Sequence, residues 1–301
     1  MKNFLLAVIA ALTLCTAPAV AAAQAKPLKV VGFMTDFDVK DDAVAICKAV
    51  MDSIAPGVHI LDITHAVEPY NIAQAARFLA GTAPYMPADA VIVAVIDPGV
   101  GSARKAIIAK SRRGQFFVLP DNGLLTLVQD GDGLVAAREI TNPAWMIGAK
   151  RSSTFHGRDI FSPAAAHLAR GDDWTQAGPV VAVAKLVRLD LRSAMLDAAG
   201  ARAEAIGTDG PYGNLILNLT GEQFATLGYG LGDSVPVEID GKRHMVPLAK
   251  TFSDVPAGKE LLYIDSRGRM SLGINEANFA EAFKVGEGAK VFIPRKGSAT
   301  P

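Results

Sequence analysis

The chain has 301 residues, half of them hydrophobic, and 30 basic against 30 acidic side chains give a formal net charge of zero. That length predicts one large or two medium domains with a sizeable core. The balanced charge gives no basic excess for nucleic acid and no acidic tail for disorder.

The first 25 residues read as a cleavable signal peptide. Lys2 supplies a short positive region, Phe4 to Leu14 an apolar run, and Ala21-Ala22-Ala23-Gln24-Ala25 small-residue cleavage sites. The run is too short for a membrane span, and Leu14 is too large for the residue that usually precedes a lipidated cysteine such as Cys15. Its removal takes away Lys2 and leaves 29 basic against 30 acidic residues. Cys47 is then the only cysteine, so no internal disulfide can form. The expected location is periplasmic or secreted, without membrane attachment.

Residues 26–180 read as an α/β layered domain with a central, mostly parallel sheet. Leu28 to Met34 predicts a first strand, followed by the acidic stretch Thr35-Asp36-Phe37-Asp38-Val39-Lys40-Asp41-Asp42. Val44, Cys47, Met51 and Ile54 then recur at helical spacing, with Asp41 and Asp42 where an N-cap belongs. Val58 to Ile63 predicts a second strand, ending in Thr64-His65 and Glu68-Pro69-Tyr70-Asn71. An amphipathic helix through Ile72, Ala75, Ala76 and Leu79 follows.

The β-branched run Ala90 to Val95 predicts a buried third strand. It delivers Asp97 at its carboxyl end, where open α/β sheets bind ligands. Pro98-Gly99 and Gly101 force a turn, so Arg104, seven residues on, can face the same cavity as Asp97. Ala106 to Ala109 and Phe116 to Leu119 predict further strands, the latter ending in the turn sequence Pro120-Asp121-Asn122-Gly123. Thr154-Phe155-His156-Gly157-Arg158-Asp159 precedes a helix through Pro163 to Leu168. A lone histidine is more often structural than catalytic; the glycine beside His156 permits close backbone approach and puts the functional reading level with the structural one.

The pattern loosens over a linker, residues 181–200. Residues 201–301 read as a C-terminal, β-barrel-like domain with strands Asn214 to Leu219, Ser234 to Ile239, Arg243 to Leu248 and Leu261 to Asp265. Asp240-Gly241 and Ser266-Arg267-Gly268 form turns, and a short helix lies near Ala277 to Phe283. Two loops there carry polar clusters, Asp209-Gly210-Pro211-Tyr212-Gly213-Asn214 and Asp265-Ser266-Arg267-Gly268. No Gly-rich phosphate loop, GxSxG elbow, HExxH pair or paired-cysteine metal site is present.

Taken in order, these clusters resemble the SAM hydroxide adenosyltransferases (SAM hydrolases), relatives of enzymes that attack S-adenosylmethionine with fluoride or chloride. The resemblance runs from about Val30 to Phe292. It implies an N-terminal α/β domain, a C-terminal β-barrel-like domain, and a homotrimer with each site between the N-domain of one subunit and the C-domain of its neighbour. It also implies conversion of SAM and water to adenosine and methionine, with no metal and no cofactor. A hydrolytic triad maps onto Asp97, Arg104 and His156. Asp36 maps onto a ribose contact, Asp41 and Asp209 onto ammonium contacts, Ser266 and Arg267 onto a carboxylate site, and Asn214 onto an adenine contact. Tyr70, Tyr212 and Phe252 fall where aromatic residues flank purine and ribose.

The halogenating relatives lack the Asp and Arg of the Asp97-Pro98-Gly99-Val100-Gly101 stretch, and no long insertion separates Arg104 from Pro120, so hydroxide is the expected nucleophile. Three positions depart from the pattern: Asp38 replaces a Gly, Ala43 a Tyr or Ser, and Ile274 an Arg. Which triad member is the base is not decided by sequence. Two other readings remain open at this stage. One is an exported adenosine- or SAM-binding protein without catalysis. The other is a calcium-dependent nucleoside hydrolase, whose aspartate-rich loop resembles Asp36…Asp41-Asp42-Ala43 with an offset of one residue.

Overall fold

The computed structural model describes residues 28–148 and 151–298. The proposed signal segment, residues 1–25, lies outside the described residues. In chain order the first unit contains β1 (Val31–Thr35), α1 (Ala43–Ile54), β2 (Ile60–Thr64), α2 (Ile72–Thr82), β3 (Val91–Val95), β4 (Ala106–Ser111), β5 (Phe116–Pro120), α3 (Thr126–Asp130), β6 (Leu134–Glu139), α4 (Ser162–Arg170) and β7 (Val180–Val181). The seven strands form one sheet in the order β2-β1-β3-β5-β4-β6-β7. Strands β2, β1, β3 and β5 run parallel, and β4, β6 and β7 extend the sheet by antiparallel pairing.

The sheet is buried on both faces, which explains why β1, β3 and β5 are buried throughout and almost entirely apolar rather than alternating. Val31, Phe33, Val91, Val93 and Val118 face α1 and α4. Met34, Ile92, Ala94, Phe117 and Leu119 face α2 and α3. Burial of each such valine or larger side chain contributes roughly 1.5–3 kcal/mol before entropy is counted. A rigid three-layer frame of this kind fixes the carboxyl ends of β1 and β3 side by side.

The second unit contains β8 (Met195–Leu196), β9 (Gly200–Asp209), β10 (Asn214–Thr220), α5 (Gly221–Ala225), β11 (Ser234–Ile239), β12 (Lys242–Pro247), β13 (Glu260–Ile264), β14 (Arg269–Ile274), α6 (Phe279–Phe283) and β15 (Lys290–Pro294). Its strands pair in the order β12-β11-β15-β9-β10-β14-β13, with β8 added on β9. A parallel bridge between Leu248 and Leu262 joins the two ends, so the sheet curls into a nearly closed barrel around its own core. The connection is short: Leu186 packs in the first core and Ala194 in the second.

Strands β6, β9, β14 and β15 were not anticipated from the sequence. In β9, Ala201, Ala203 and Ala205 point inward between exposed or half-exposed Arg202 and Glu204. Ala, Arg and Glu favour helices in isolation. Pairing with β15 and β10 overrides that preference.

One glycine brings the two chain segments of the site together. Gly101 has φ +79°, and a Cβ there would sit 2.7 Å from the Ser153 carbonyl oxygen. Gly258 has φ +76° with open space around it. Gly258→Ala therefore costs only the left-handed conformation, about 1 kcal/mol, whereas Gly101→Ala adds a backbone clash and should cost about 2–4 kcal/mol. Thermal unfolding of the two variants should show the larger drop in Tm for Gly101→Ala; equal drops would contradict this packing.

Candidate active site

Asp97 leaves the buried end of β3 after Ile96, and three tight contacts fold the following loop back on it. Val100 N donates to the Asp97 carbonyl (3.1 Å), Ser102 N to the Gly99 carbonyl (3.0 Å), and Arg104 N to Ser102 Oγ (3.2 Å). Arg104 thereby returns to the carboxylate. Its Nε lies 2.9 and 3.0 Å from the two Asp97 oxygens, and its Nη2 lies 2.5 Å from Oδ2. The Asp97 and Arg104 side chains are 6% and 10% exposed, so the pair is largely shielded from water. Removing one partner of such a pair typically costs about 3–5 kcal/mol, because the other charge stays buried alone.

The same Arg104 Nη2 lies 2.5 Å from His156 Nδ1. A guanidinium has only donors, so Nδ1 accepts and the imidazole proton is assigned to Nε2. Burial, and then the Arg104 charge, hold His156 below the ordinary histidine pKa, so the ring is neutral at pH 7. His156 sits at the start of a wide π-helical turn, Gly157–Phe161, that leads into α4. Gly157 leaves room for the Phe37 ring, and Phe161 lies under the Arg104 guanidinium at 5.2 Å.

Asp36 follows β1 and faces the same cavity of about 360 Å³ as Tyr70, Asp97, Phe155 and His156. Its Oδ2 accepts the Tyr70 N–H at 3.0 Å, and Tyr70 is held at φ +70°. Such a conformation is uncommon for a bulky residue and is stored strain beside a cavity. Burial pushes the Asp36 carboxyl pKa up, partly offset by the Tyr70 bond. His65, from the Asp62-Ile63-Thr64-His65 motif, braces this loop from beneath. Its Nδ1 lies 2.9 Å from Thr35 Oγ1, which in turn accepts from Phe37 N at 3.2 Å; its carbonyl accepts from Asp38 N at 2.7 Å, and its Nε2 lies 3.1 Å from Asp62.

The acidic stretch does not converge. Asp36 serves Tyr70, Asp38 pairs with Lys40 at 2.9 Å in solvent, and Asp41 accepts from Ala43 N at 3.0 Å in a turn at the start of α1. Asp41 is exposed and lies outside the cavity of Asp36 and Asp97. Among the described residues, no three His, Cys, Asp or Glu side chains are placed to hold a metal ion.

The other candidate residues lie on the barrel. Asp209, Tyr212, Asn214 and Phe252 share a cavity of about 620 Å³ with Ile274. Asn214 is buried, and Gly273 leaves the space in which its amide and the Phe252 ring meet. Ser266 and Arg267, on the β13–β14 hairpin, line a neighbouring cavity of about 600 Å³ that also includes Asp209. One chain therefore assembles the Asp36/Tyr70/Asp97/His156 group and the Asp209/Tyr212/Asn214/Phe252 group separately. Phe155 and the brace at His65 were not singled out individually in the sequence, although both lie in motifs that were. Arg77 and Arg269, which line the third cavity, gave no signal there at all.

Comparison with known proteins accords with this geometry. Residues 31–178 match the SAM hydroxide adenosyltransferase N-terminal domain, and residues 203–292 its C-terminal domain. The chain is 40% identical over 264 residues to the (R)-S-adenosyl-L-methionine hydrolase of Salinispora arenicola, covering 87% of this chain and 97% of that protein. It is 38% identical to the protein of the same name from Thermus thermophilus, over 88% and 99% of the two chains. A fluorinase from Actinopolyspora mzabensis is 27% identical over 88% and 97%. The crystal structure of an uncharacterized conserved protein from Thermotoga maritima superposes with a TM-score of 0.82 at 35% identity, covering 88% of this chain and all of that one. Both domains, their order and their spacing are thus accounted for, and the chain belongs to the SAM hydroxide adenosyltransferase family.

Proposed function

We propose that this protein hydrolyses S-adenosyl-L-methionine to adenosine and methionine by attack of water at C5′. The observation that carries the reading is the Asp97–Arg104–His156 chain, whose two ends line one cavity, in a protein 40% identical to a named hydrolase.

The sulfonium is already a good leaving group, so the site has only to place and deprotonate a water in line with the C5′–S bond. The water oxygen bonds to C5′, the C5′–S electron pair passes to sulfur to give the neutral thioether of methionine, and one proton leaves the water. His156 cannot take that proton while Arg104 occupies Nδ1 and Nε2 carries hydrogen; its remaining N–H is a donor that orients the water oxygen. Asp97 accepts three contacts from Arg104 out of roughly four lone-pair positions on a carboxylate, which leaves one for the water proton. Asp97 is therefore the base, Arg104 fixes its direction and the tautomer of His156, and a site shielded from bulk water strengthens each contact.

Asp36 is assigned to the ribose hydroxyls, Asn214 to adenine, and Tyr70, Tyr212 and Phe252 to the faces of the nucleoside. Asp41 and Asp209 are assigned to the ammonium group, and Ser266 and Arg267 to the carboxylate. The scheme uses no metal and no cofactor. The two groups of contacts sit in separate cavities of one chain, and Tyr70 and Tyr212 are 74% and 68% exposed, which supports a site completed between subunits; the resemblance to the family implies that the assembly is a homotrimer. Each N-terminal cavity is then closed by the barrel of a neighbour. The apolar run Phe4 to Leu14 and the small residues after it support export to the periplasm or beyond.

Asp97→Asn keeps the shape and loses the proton acceptor, so turnover of SAM should fall on the order of 10²–10⁴-fold. Adenosine release measured by chromatography checks this, and unchanged turnover would remove Asp97 from the mechanism. Shared sites make a second prediction. Co-expression of Asp97→Asn with Asn214→Ala chains should restore about a quarter of wild-type activity, because random trimers pair an intact N-terminal half with an intact barrel at that frequency. No restoration above the two single variants would place each site within one chain.

A further inference from the structure

The turn Pro120-Asp121-Asn122-Gly123 makes a contact that the mechanism above leaves unused. β5 ends at Pro120, and Leu119 and Leu124 on either side of the turn are buried in the core that faces α2 and α3. Asn122 N donates to the Pro120 carbonyl at 3.0 Å, and Gly123 takes φ +104°. The linker between the domains presses on the same turn. Asp121 Oδ1 accepts from Val187 N at 2.9 Å, and the Leu189 side chain packs where a Gly123 Cβ would stand. The turn is thus fixed from within and from outside.

From that fixed point, two consecutive residues hold the two ends of the loop that carries Asp97 and Arg104. Asn122 Nδ2 donates to the Ile96 carbonyl at 2.8 Å, and Asp121 N donates to the Lys105 carbonyl at 2.9 Å. Ile96 immediately precedes Asp97, and Lys105 immediately follows Arg104. The Asp121 contact extends the β4–β5 ladder one step beyond the Ala106 and Pro120 pair, so the backbone supplies it. The Asn122 contact depends on the side chain. β3 pairs with β1 as far as Val95 and with β5 as far as Val93, so Ile96 lies past both ladders. Its carbonyl needs a partner from elsewhere, and the Asn122 amide provides one. A carbonyl only accepts, so the amide nitrogen must be the atom that faces it. The amide oxygen is left buried without a hydrogen-bond partner among the described residues, which is unfavourable. An asparagine serving turn geometry alone would bond its own backbone or water instead.

We propose that Asn122 is a positioning residue for the reaction: its amide sets where the Asp97 carboxylate stands against Arg104 and, through Arg104, how His156 is held. Asn122 does not line the cavity of Asp36, Asp97 and His156, so it acts through the loop and not on the substrate. One Arg104 nitrogen reaches both Asp97 and His156, so a shift of Asp97 draws the guanidinium away from the imidazole. The kinetic consequence rests on the hydrolase reading; the geometric one does not.

The test compares the full wild-type chain with Asn122→Ala, Asn122→Leu and Asn122→Ser. Leu removes the donor and fills the space, Ala removes both, and Ser returns a shorter donor. Each protein is followed by Tm, by kcat and KM for SAM, and by ring-nitrogen NMR of His156. A misplaced base should lower kcat about 10- to 100-fold with KM within about 3-fold, alike in Ala and Leu whatever their Tm, and less in Ser. His156 gives a readout that needs no substrate. The charged groups around its ring are Arg104, Asp97, Asp159 and Arg151, and burial, then Arg104, hold its pKa below the ordinary value. Loosening Arg104 removes one of those causes, so the His156 midpoint should rise toward the ordinary histidine value in the Ala and Leu variants. An unmoved His156, or full kcat in the Ala and Leu variants of an active wild type, would make Asn122 a turn residue and overturn the proposal. A His156 shift in the variants with no turnover of SAM by wild type would instead sink the hydrolase reading and leave the positioning role standing.

Discussion

Arg104 is the residue on which the candidate site depends. One guanidinium reaches a carboxylate seven residues earlier and an imidazole 52 residues later, at 2.5 Å each. It compensates the buried Asp97 charge and at the same time sets the proton on His156. Both partners would otherwise be free to adopt other protonation states or rotamers. A lysine could balance the charge but could not span both groups with a rigid planar fork.

The frame exists to hold that contact. β3 is followed by Ile96, buried among residues that face α2 and α3, and this fixes where Asp97 emerges. The loop to Arg104 is closed by backbone bonds and pressed against Ser153 through Gly101. His156 comes from a distant segment, locked by Asp159, whose buried carboxylate accepts from Ser152 N at 2.7 Å and from Arg158 Nε at 2.6 Å. The strained Tyr70 and its Asp36 partner are held by the His65 brace on the adjacent strand end. Rigid layers below and exposed aromatics above are what a site completed by a second surface requires.

The parts of this arrangement legible in the sequence were those written in local pattern. The run Ala90 to Val95 followed by Pro98-Gly99 gave the strand and turn, and with them the position of Asp97 and Arg104. Asp240-Gly241 and Ser266-Arg267-Gly268 gave two barrel turns, and each now joins an antiparallel pair. What stayed hidden depended on tertiary contact. β9 is built from alanine and charged residues and becomes a strand only between its neighbours. Asp41 looked equally suited to capping and to ligand binding, and within one chain it makes the turn contact. Arg77 lies in an ordinary amphipathic helix; its partners, the Ile206 carbonyl of β9 and Glu287, come from the distant barrel. The tautomer of His156, on which the proposed choice of base rests, followed from one side-chain distance.

The most direct measurement is hydrolysis of SAM by the purified protein in water enriched in heavy oxygen, with no metal added, followed by mass spectrometry of the products. Attack at C5′ by a water activated at Asp97 predicts one heavy oxygen in the 5′-hydroxyl of adenosine and none in methionine. Adenosine without the label, or SAM bound and never cleaved, would contradict it.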